Sequence, residues 1–341
     1  MPTKEKNTKD SKKLPTLYLV VPCYNEEEVI DQSSAVLLEK EERLVKQGVI
    51  APDSKVLFVN DGSKDNTREK LEALAKADPR YAVVNFTANY GHQSAIYAGM
   101  MVAKDFCDIA VTIDADLQQD IEALDRFIEC YKKGCDVVYG VRNDRSSDSF
   151  FKKFTASAYY KMMRILGCDV LPNSADYRLL SKKALDALSH YKESNLFLRG
   201  LIPTMGFNSD IVYFDVKERA AGSSKYTLKK MINLAIDGVT SLSVTPLHFI
   251  FISGFIIIFL SVLLAIYTLV GFFNGQNVPG YSTITIVLLL STGFIMMSLG
   301  VVGEYIGKIY TETKERPRYI IDSIVLTEAD NKNEKHISTR R

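Results

Sequence analysis

Short apolar runs alternate with segments of helical periodicity through the first half of the chain. The runs are rich in β-branched and aromatic residues, as strands are, and cover residues 17–21, 55–59, 81–86, 109–113 and 136–141. The helical segments start near Glu26, Asp65, His92, Ile121 and Ser149. This alternation predicts an α/β fold with a doubly wound, mainly parallel sheet, which binds ligands beyond the carboxyl ends of its strands.

Two much longer apolar runs follow, at residues 247–273 and 281–303. Neither contains a charged residue if His248 is neutral, and neither shows a polar face at helical period. A helix needs about 20 residues to cross the core of a bilayer, and each run is longer than that. The pattern predicts a C-terminal hairpin of two transmembrane helices, and Gly300, Gly303 and Gly307 would let copies of the chain associate through the second helix.

The charges around these runs predict their orientation. The connection "NGQNVPG" is uncharged, whereas Lys225, Lys229 and Lys230 precede the first run and Lys308, Lys314, Arg316 and Arg318 follow the second. By the positive-inside rule both flanks, and with them both termini, lie in the cytosol. The expected units are a disordered tail (1–15), a cytosolic domain (16–223), a juxtamembrane amphipathic helix (224–245), the hairpin (246–307, with spans at about 247–273 and 281–305) and a cytosolic tail (308–341).

Composition excludes several classes of protein. The 341 residues carry 42 Lys and Arg against 41 Asp and Glu, a net charge of +1, which argues against a nucleic-acid binder that relies on bulk electrostatics. The five cysteines form no CxxC pair and no Cys/His cluster at zinc spacing, so neither a disulfide framework nor a structural zinc site is expected. The polar N-terminus has no apolar core of a signal peptide.

Polar motifs follow the first two predicted strands, "VPCYNEEE" and "VNDGSKDNT". Asp61 begins a tight turn, and Asp65 or Asn66 can cap the next helix. A carboxylate in the position of Asp61 can accept an N–H of a nucleotide base, on which Tyr24 can stack. The chain has no G-x-G-x-x-G after the first strand and no P-loop motif, so neither a dinucleotide oxidoreductase nor a P-loop enzyme is supported.

The strand at 109–113 runs into "DADLQQD", which brings Asp114, Asp116 and Asp120 to its end. Carboxylates gathered there repel one another unless a cation or a donor-rich ligand holds them. In an extended segment Asp114 and Asp116 point to the same side, so both can bind one Mg²⁺ or Mn²⁺ ion that bridges a diphosphate. Asp120 is expected to start the next helix or to orient a neighbour.

As a set, the motifs resemble those of family-2 glycosyltransferases with the GT-A fold: "VPCYNEEE", "VNDGSKDNT", "NYGHQSA", "DADLQQD", "GVRNDR", "ADYRLL" and "RAAGSSKY". With the hairpin, the resemblance narrows to the polyprenyl-phosphate glycosyltransferases, which include the bactoprenol glucosyltransferases and dolichyl-phosphate mannose synthases. It covers residues 17 to about 320. It implies inverting transfer of one sugar, with UDP-glucose favoured as donor, to a polyprenyl (undecaprenyl) phosphate on the cytosolic face of the cell membrane.

The resemblance also implies roles for individual residues. Catalysis is expected of Asp114, Asp116, Arg142, Arg219 and Lys225. Substrate binding is expected of Pro22, Tyr24, Glu26, Asp61, Arg178 and Ser224. Binding of the metal, Mg²⁺ or Mn²⁺, is expected of Asp114, Asp116 and Gln118, and Asp120 is expected to lie behind these ligands. Family members often carry two acids where this chain has Asn60 and Asp61, so no role is assigned to position 60.

The reactivity of a lipid phosphate indicates what such a site needs, independently of the resemblance. A lipid monophosphate has a second pKa near 6 and is mostly a dianion at neutral pH, so it is already a competent nucleophile. The site therefore needs a metal for the leaving diphosphate and cations that let one anion approach another, but no strong general base.

The sequence alone is compatible with other functions. The same reaction could use UDP-N-acetylglucosamine or GDP-mannose, since a few hydroxyl contacts decide the sugar. A non-catalytic nucleotide-sugar-binding membrane scaffold could keep the fold, and a transferase could use a water-soluble acceptor. A processive polysaccharide synthase is disfavoured, because its Q-x-x-R-W motif needs a tryptophan and the chain has none.

Overall fold

A computed structural model describes residues 13–143, 165, 171–193, 196–215, 243–274 and 280–326 of the chain. Within these residues the strands are β1 (Leu17–Cys23), β2 (Lys55–Asn60), β3 (Tyr81–Phe86), β4 (Ile109–Thr112), β5 (Val137–Arg142), β6 (Ser174–Ser181), β7 (Ser209–Phe214) and β8 (Ile321–Val325). The helices are α1 (Ile30–Lys46), α2 (Thr67–Ala77), α3 (His92–Ala103), α4 (Ala123–Lys132), α5 (Lys182–Leu188), α6 (Leu198–Thr204), α7 (Thr245–Phe273) and α8 (Tyr281–Thr313).

All the strands belong to one sheet, in the order β7-β5-β6-β4-β1-β2-β3-β8. β1 pairs in parallel with both β2 and β4, β2 with β3, and β5 with β7. The antiparallel pairs are β3 with β8, and β6 with both β4 and β5. The chain winds outward from β1 in both directions, which confirms the doubly wound, mainly parallel α/β sheet and brings the carboxyl ends of β1, β2, β4 and β5 to one edge.

Both faces of the sheet are buried, which explains why its central strands read as continuous apolar runs. Leu17, Leu19 and Val21 of β1 pack on the face that carries α1, α2 and α4. Tyr18 and Val20, which alternate with them, pack on the face that carries α3, α5 and α6.

The predicted strands are all present, but β6, β7 and β8 were not predicted. β6 alternates charged with apolar residues, since Asp176 and Arg178 lie between Ala175, Tyr177 and Leu179. β7 is an edge strand with several exposed positions, and β8 lies beyond the apolar helices. Predicted starts near Glu26, Asp65 and Ile121 are observed at Ile30, Thr67 and Ala123, and the helix expected from Ser149 lies outside the described residues.

The C-terminal apolar runs are both helical. In the described part of the chain, Leu290–Thr313 of α8 is long and apolar enough to cross a membrane, with mean hydropathy 1.3, and Thr245–Ile257 of α7 is a shorter apolar helix. The two-span hairpin, its orientation and the predicted domain limits stay predictions. Residues 224–242 of the juxtamembrane helix lie outside the described residues. At Gly300, Gly303 and Gly307 an added Cβ would meet nothing within 4 Å, so association through this helix also stays a prediction.

Candidate functional site

Asp114 stands directly beyond β4 with its carboxylate turned into the protein. Its backbone N–H donates to Gln119 Oε1 (2.9 Å), and its Oδ2 accepts from Gln119 Nε2 (2.6 Å). Its Oδ1 is buried and accepts no hydrogen bond from any described residue. Burial raises the pKa of Asp114, and the charge of nearby His92 offsets this only in part. A buried carboxylate oxygen without a donor is suited to a cation.

The rest of "DADLQQD" is a turn, so the extended geometry assumed for it is wrong. Ala115 and Asp116 form the turn, and Leu117 has φ +55°. Asp116 Oδ1 accepts the backbone N–H of Gln118 (3.1 Å), which closes the turn on itself. The glutamine whose side chain contacts Asp114 is Gln119, the neighbour of the predicted Gln118. The metal-binding roles of Asp116 and Gln118 stay predictions.

Asp176, near the start of β6, is the centre of a dense ion-pair network. The pairing of β4 with β6 sets Thr112 opposite Arg178, so Asp176 lies beside the end of β4. Its Oδ1 pairs with Arg178 Nη2 (2.5 Å), and its Oδ2 with Arg199 Nη2 (2.9 Å). Gln93 Nε2 also donates to Oδ2 (3.1 Å).

Charge pairing outweighs burial at Asp176. Burial alone would raise its pKa, but the nearby ring of His92 and the charges of Arg199 and Arg178 hold it well below the usual range. Asp176 is therefore an ionised anchor and a weak proton acceptor.

His92, the first residue of α3, lies between the two buried acids. Its Nε2 is 3.6 Å from Asp114 Oδ1 and 3.7 Å from Asp176 Oδ2, and the ring is about half exposed. Burial lowers the pKa of His92, but the neighbouring carboxylates of Asp176 and Asp114 outweigh this effect and raise the pKa overall. The site thus has a histidine with increased cationic character between two carboxylates.

Arg178 is placed differently from the exposed phosphate ligand that the sequence suggests. It is 1% exposed and lies beneath the site, against Asp176. Its Nε and Nη1 find no hydrogen-bond partner among the described residues, and burial lowers its pKa although the charge of Asp176 opposes this. Arg199 on α6, about one-third exposed, is the arginine of this pair that solvent reaches.

Asp61 and Tyr24 lie at the ends of β2 and β1. Asp61 is 3% exposed, with Oδ1 accepting the N–H of Tyr90 (2.6 Å) and Oδ2 that of Gly91 (2.9 Å). Burial raises the pKa of Asp61, and these two backbone hydrogen bonds oppose the rise. Asp61 therefore holds the loop before α3, while the exposed ring of Tyr24 is open to stacking.

The remaining predicted residues fall into three groups. Pro22 is buried within β1, and Glu26 follows it in the next loop, its N–H bonded to Thr67 Oγ1 (2.9 Å). Asp120 lies in the turn before α4, where its Oδ1 accepts the N–H of Glu122 (3.2 Å), and its expected place behind the metal ligands stays a prediction. Arg142 ends β5 at the same sheet edge and is exposed. Arg219, Ser224 and Lys225 lie outside the described residues.

Several residues around Asp114 were not predicted from the sequence: Asp176, His92, Gln93, Arg199 and Gln119. Four of them, all but Arg199, lie inside motifs already quoted. In "SADYRLLS", charged residues at alternating positions are the signal of a strand that carries Asp176 and Arg178 on one face. Arg199 had no such signal, since only the packing of α6 brings it near.

The donors suit a hard divalent cation, since oxygen ligands are those that Mg²⁺ and Mn²⁺ prefer. Asp114 fits, because its orphan oxygen is buried at the end of a strand. Within the described ranges, no group of three or more His, Cys, Asp or Glu side chains could hold a metal ion alone. Such an ion would need further oxygens from a bound ligand, as a diphosphate offers.

The sequence is similar to those of several known proteins. Residues 18–189 match glycosyl transferase family 2. The chain is 43% identical over 308 residues to the uncharacterized glycosyltransferase YkoT of Bacillus subtilis (strain 168), covering 90% of this chain and 91% of YkoT. It is 37% identical over 308 residues to the bactoprenol glucosyl transferase of Shigella phage SfX, covering 89% and 98%. Glucosyl-3-phosphoglycerate synthase from Mycobacterium tuberculosis, solved with phosphoglyceric acid, aligns with TM-score 0.42 and 17% identity over 67% of this chain and 79% of that one.

Proposed function

Because this chain belongs to glycosyl transferase family 2, we propose that it transfers one glucose, with inversion, from UDP-glucose to a polyprenyl phosphate, undecaprenyl phosphate, at the cytosolic face of the cell membrane. The observation that carries the proposal is the 37% identity to a bactoprenol glucosyl transferase over nearly the whole of both chains. The site supports it, because an acid with an orphan buried oxygen faces a histidine and an arginine cluster at the carboxyl edge of the sheet.

The donor would lie across the carboxyl ends of β1, β2 and β4. Tyr24 stacks on the base, and Asp61 accepts a base N–H with the lone pairs left after its two backbone hydrogen bonds. Pro22 and Glu26 line the same loop. Asp114, Asp116 and Gln118 would hold Mg²⁺ or Mn²⁺, which neutralises the leaving diphosphate when bound.

The acceptor would meet the basic side of the site. A phosphate oxygen of the lipid forms a bond to the anomeric carbon as the bond from that carbon to the diphosphate breaks, and the nucleoside diphosphate leaves with the electron pair. Arg199, held by Asp176, and His92 offset the two approaching anions. The resemblance adds Arg142, Arg178, Arg219, Ser224 and Lys225 as further phosphate ligands, of which buried Arg178 would act through Asp176.

No residue has to remove a proton, because the acceptor arrives as a dianion. The properties of Asp176 agree with this, since its ion pairs lower its pKa and make it a poor base. Its proposed task is to hold Arg199 and Arg178 in place. The membrane helices would keep this site at the bilayer surface, where the lipid phosphate lies.

The decisive experiment incubates membranes containing the protein with undecaprenyl phosphate, Mg²⁺ or Mn²⁺ and a panel of labelled nucleotide-sugars. We expect a glucolipid from UDP-glucose. A glycolipid from UDP-N-acetylglucosamine or GDP-mannose alone would change the donor and keep the reaction. Absence of any lipid product, or full activity on a water-soluble acceptor, would refute the proposal.

A substitution separates the enzyme from a non-catalytic scaffold. Asp114→Asn should lower turnover at least ~100-fold, the usual scale for losing a key electrostatic group. Thermal stability should hold or rise, because a buried carboxylate is replaced by a neutral amide. Asp105→Asn is the control, since this exposed acid pairs with Lys104 beyond the end of α3, outside the proposed site, and should cost little activity. Unchanged turnover in Asp114→Asn would point to a scaffold.

A further inference from the structure

The segment after α8 returns to the catalytic domain and becomes the outermost strand of its sheet. β8 pairs antiparallel with β3, which sets Ser323 opposite Asn85. Just before the strand, the ring of Tyr319 stacks on that of Phe86, with centroids 5.1 Å apart. Only residues 314–320 separate this strand from the apolar helix.

A chain of hydrogen bonds runs from β8 to the loops at the carboxyl edge of the sheet. Asn85 Nδ2 donates to Ser323 Oγ (3.1 Å), and Asn60 Nδ2 donates to Asn85 Oδ1 (3.0 Å). The N–H of Ser63 donates to Asn60 Oδ1 (3.1 Å), and the N–H of Asn25 donates to Ser63 Oγ (3.0 Å). We call Ser323, Asn85, Asn60 and Ser63 the relay.

The relay requires amides at its two inner positions. Asn60 and Asn85 are 2% and 0% exposed, so water cannot substitute for a lost partner. Asn60 must donate on one side and accept on the other, which a carboxylate cannot do. Asn85 uses both amide hydrogens, because Nδ2 also donates to Glu72 Oε1 (3.0 Å). An acid at position 60 would set acceptor against acceptor.

The loops at the end of the relay contain residues in left-handed backbone conformations, which the surrounding hydrogen bonds hold in place. Asn25 has φ +54°, in the left-handed region that is uncommon for residues other than glycine. Gly62 has φ +63°, and a Cβ there would lie 2.3 Å from the backbone carbon of Ala88. Asn25 follows Tyr24, and Gly62 follows Asp61, so the supported loops carry the two proposed nucleoside ligands.

We infer that Asn60 and Asn85 are positioning residues for the donor nucleotide, and that β8 is a structural part of the nucleotide site. The inference rests on the proposed role of Tyr24 and Asp61. Seating of the strand that follows the apolar helix orders the loops that hold the base, so nucleotide affinity depends on a residue, Ser323, remote from the reacting atoms.

The test uses the full-length chain in detergent and titrates UDP, then GDP, with Mg²⁺ by calorimetry, followed by donor kinetics. Ser323→Ala removes the hydroxyl that accepts from Asn85. It should weaken nucleotide binding and raise KM about threefold to tenfold, the scale of one buried hydrogen bond, with kcat within about twofold. Ser323→Thr keeps the hydroxyl and should restore affinity.

Asp322→Asn is the matched control on the same strand. Asp322 Oδ2 pairs with Arg68 Nη2 (2.7 Å), which also donates to Ser323 Oγ (3.4 Å), but among the described residues Asp322 itself makes no hydrogen bond to the relay. It should leave nucleotide affinity unchanged, even if it lowers thermal stability as much as Ser323→Ala does. Asn60→Asp should weaken binding at least as much as Ser323→Ala, and the double variant should lose less than the product of the two effects, because both break one chain.

The outcomes separate the inference from the proposed function. Wild-type protein that binds neither UDP nor GDP would overturn the proposed function and the inference with it. Wild-type protein that binds nucleotide while Ser323→Ala binds equally well would overturn the inference alone. Equal loss of affinity in Ser323→Ala and Asp322→Asn would show that β8 acts only by stabilising the fold. This result would also overturn the inference.

Discussion

Three buried carboxyl groups show how surroundings decide the charge of a residue. Asp176 is ionised because two arginines and a glutamine meet it. Asp114 has its pKa raised by burial, and one of its oxygens has no donor among the described residues. Glu41, on α1 and 1% exposed, also has an orphan oxygen, and burial raises its pKa to about 8, against the opposing charge of Arg80. Asp176 and Asp114 lie in the candidate site, whereas Glu41 lies away from it and affects stability.

Glu41 should make the stability of the protein depend on pH. Its pKa is about 8 in the folded protein and near the ordinary 4.5 in the unfolded chain, so the folded state keeps a proton that the unfolded state releases. Stability should therefore fall as pH rises between these values, by up to about 1.4 kcal/mol per pH unit, and level off above about 8. Thermal unfolding from pH 5 to 9 measures this.

Glu41→Gln should remove that slope, because the amide does not titrate. Glu42→Gln is the matched control, since Glu42 is the neighbouring acid and pairs with Arg80 at the surface. It should keep the wild-type slope. A slope that persists in Glu41→Gln would show that another group causes it.

Asp176→Asn should destabilise the protein strongly. Arg178 would lose the counter-charge of a buried ion pair, which costs about 3–5 kcal/mol. Asp136→Asn is the control, because Asp136 pairs with the exposed Lys183 and should cost at most about 1 kcal/mol. Denaturant unfolding in detergent compares the two. Similar small losses in both variants would contradict the role of Asp176 as an anchor.

At the scale of elements, the site depends on how closely α3 packs on the sheet. The helix starts at His92, so its position sets the distances from this ring to both acids. Gly99 lies where α3 crosses β1 and β2, and a Cβ there would come within 2.3 Å of Val20 Cγ1 and 2.8 Å of Val59 Cγ2. The glycine permits this close approach, and with it the placement of His92.

Gly99→Ala should push α3 away from the sheet. Overpacking of this kind costs about 1–3 kcal/mol, and transferase activity should fall because His92 moves with the helix. Gly254→Ala makes the same change in α7, where an added Cβ meets nothing within 4 Å, and should leave stability and activity intact. Thermal unfolding and initial rates of both variants measure the difference. Wild-type behaviour of Gly99→Ala would mean that the core adapts at no cost.

At the scale of the whole molecule, the chain connects the sheet to the pair of apolar helices twice, once before α7 and once after α8. β7 precedes α7 in the chain, and β8 follows α8 and returns to β3. If the hairpin crosses the membrane, the catalytic domain is attached to it by two connections. Such attachment would restrict how the site tilts toward the lipid phosphate.

Asn274→Cys tests the proposed orientation. Residue 274 follows α7, at the end that the hairpin would expose outside the cell. A membrane-impermeant maleimide should label Asn274→Cys in intact cells, while the native cysteines of the wild-type protein react only after the membrane is opened. Labelling of Asn274→Cys only in opened cells would mean that the hairpin has the opposite orientation or does not cross the membrane.

The fold class and the motifs that follow the strands could be predicted from the order of residues alone. Apolar runs buried on both faces of a sheet leave a strong pattern, and acids at strand ends contrast sharply with them. Asp114 was found for this reason. The motifs also led to the correct family, because several short patterns in a fixed order are far more specific than any one of them.

Which residues come into contact depends on the packing of elements that are distant in the chain. Arg199, Asp176 and His92 lie on three different elements, and no local pattern shows that they converge. Likewise, Gln119 rather than Gln118 contacts Asp114, because a turn replaces the extended segment. Asn60, to which the sequence assigned no role, gains a partner from β3 and, through it, one from β8. Contacts between residues far apart in the chain depend on packing, which a local pattern does not contain.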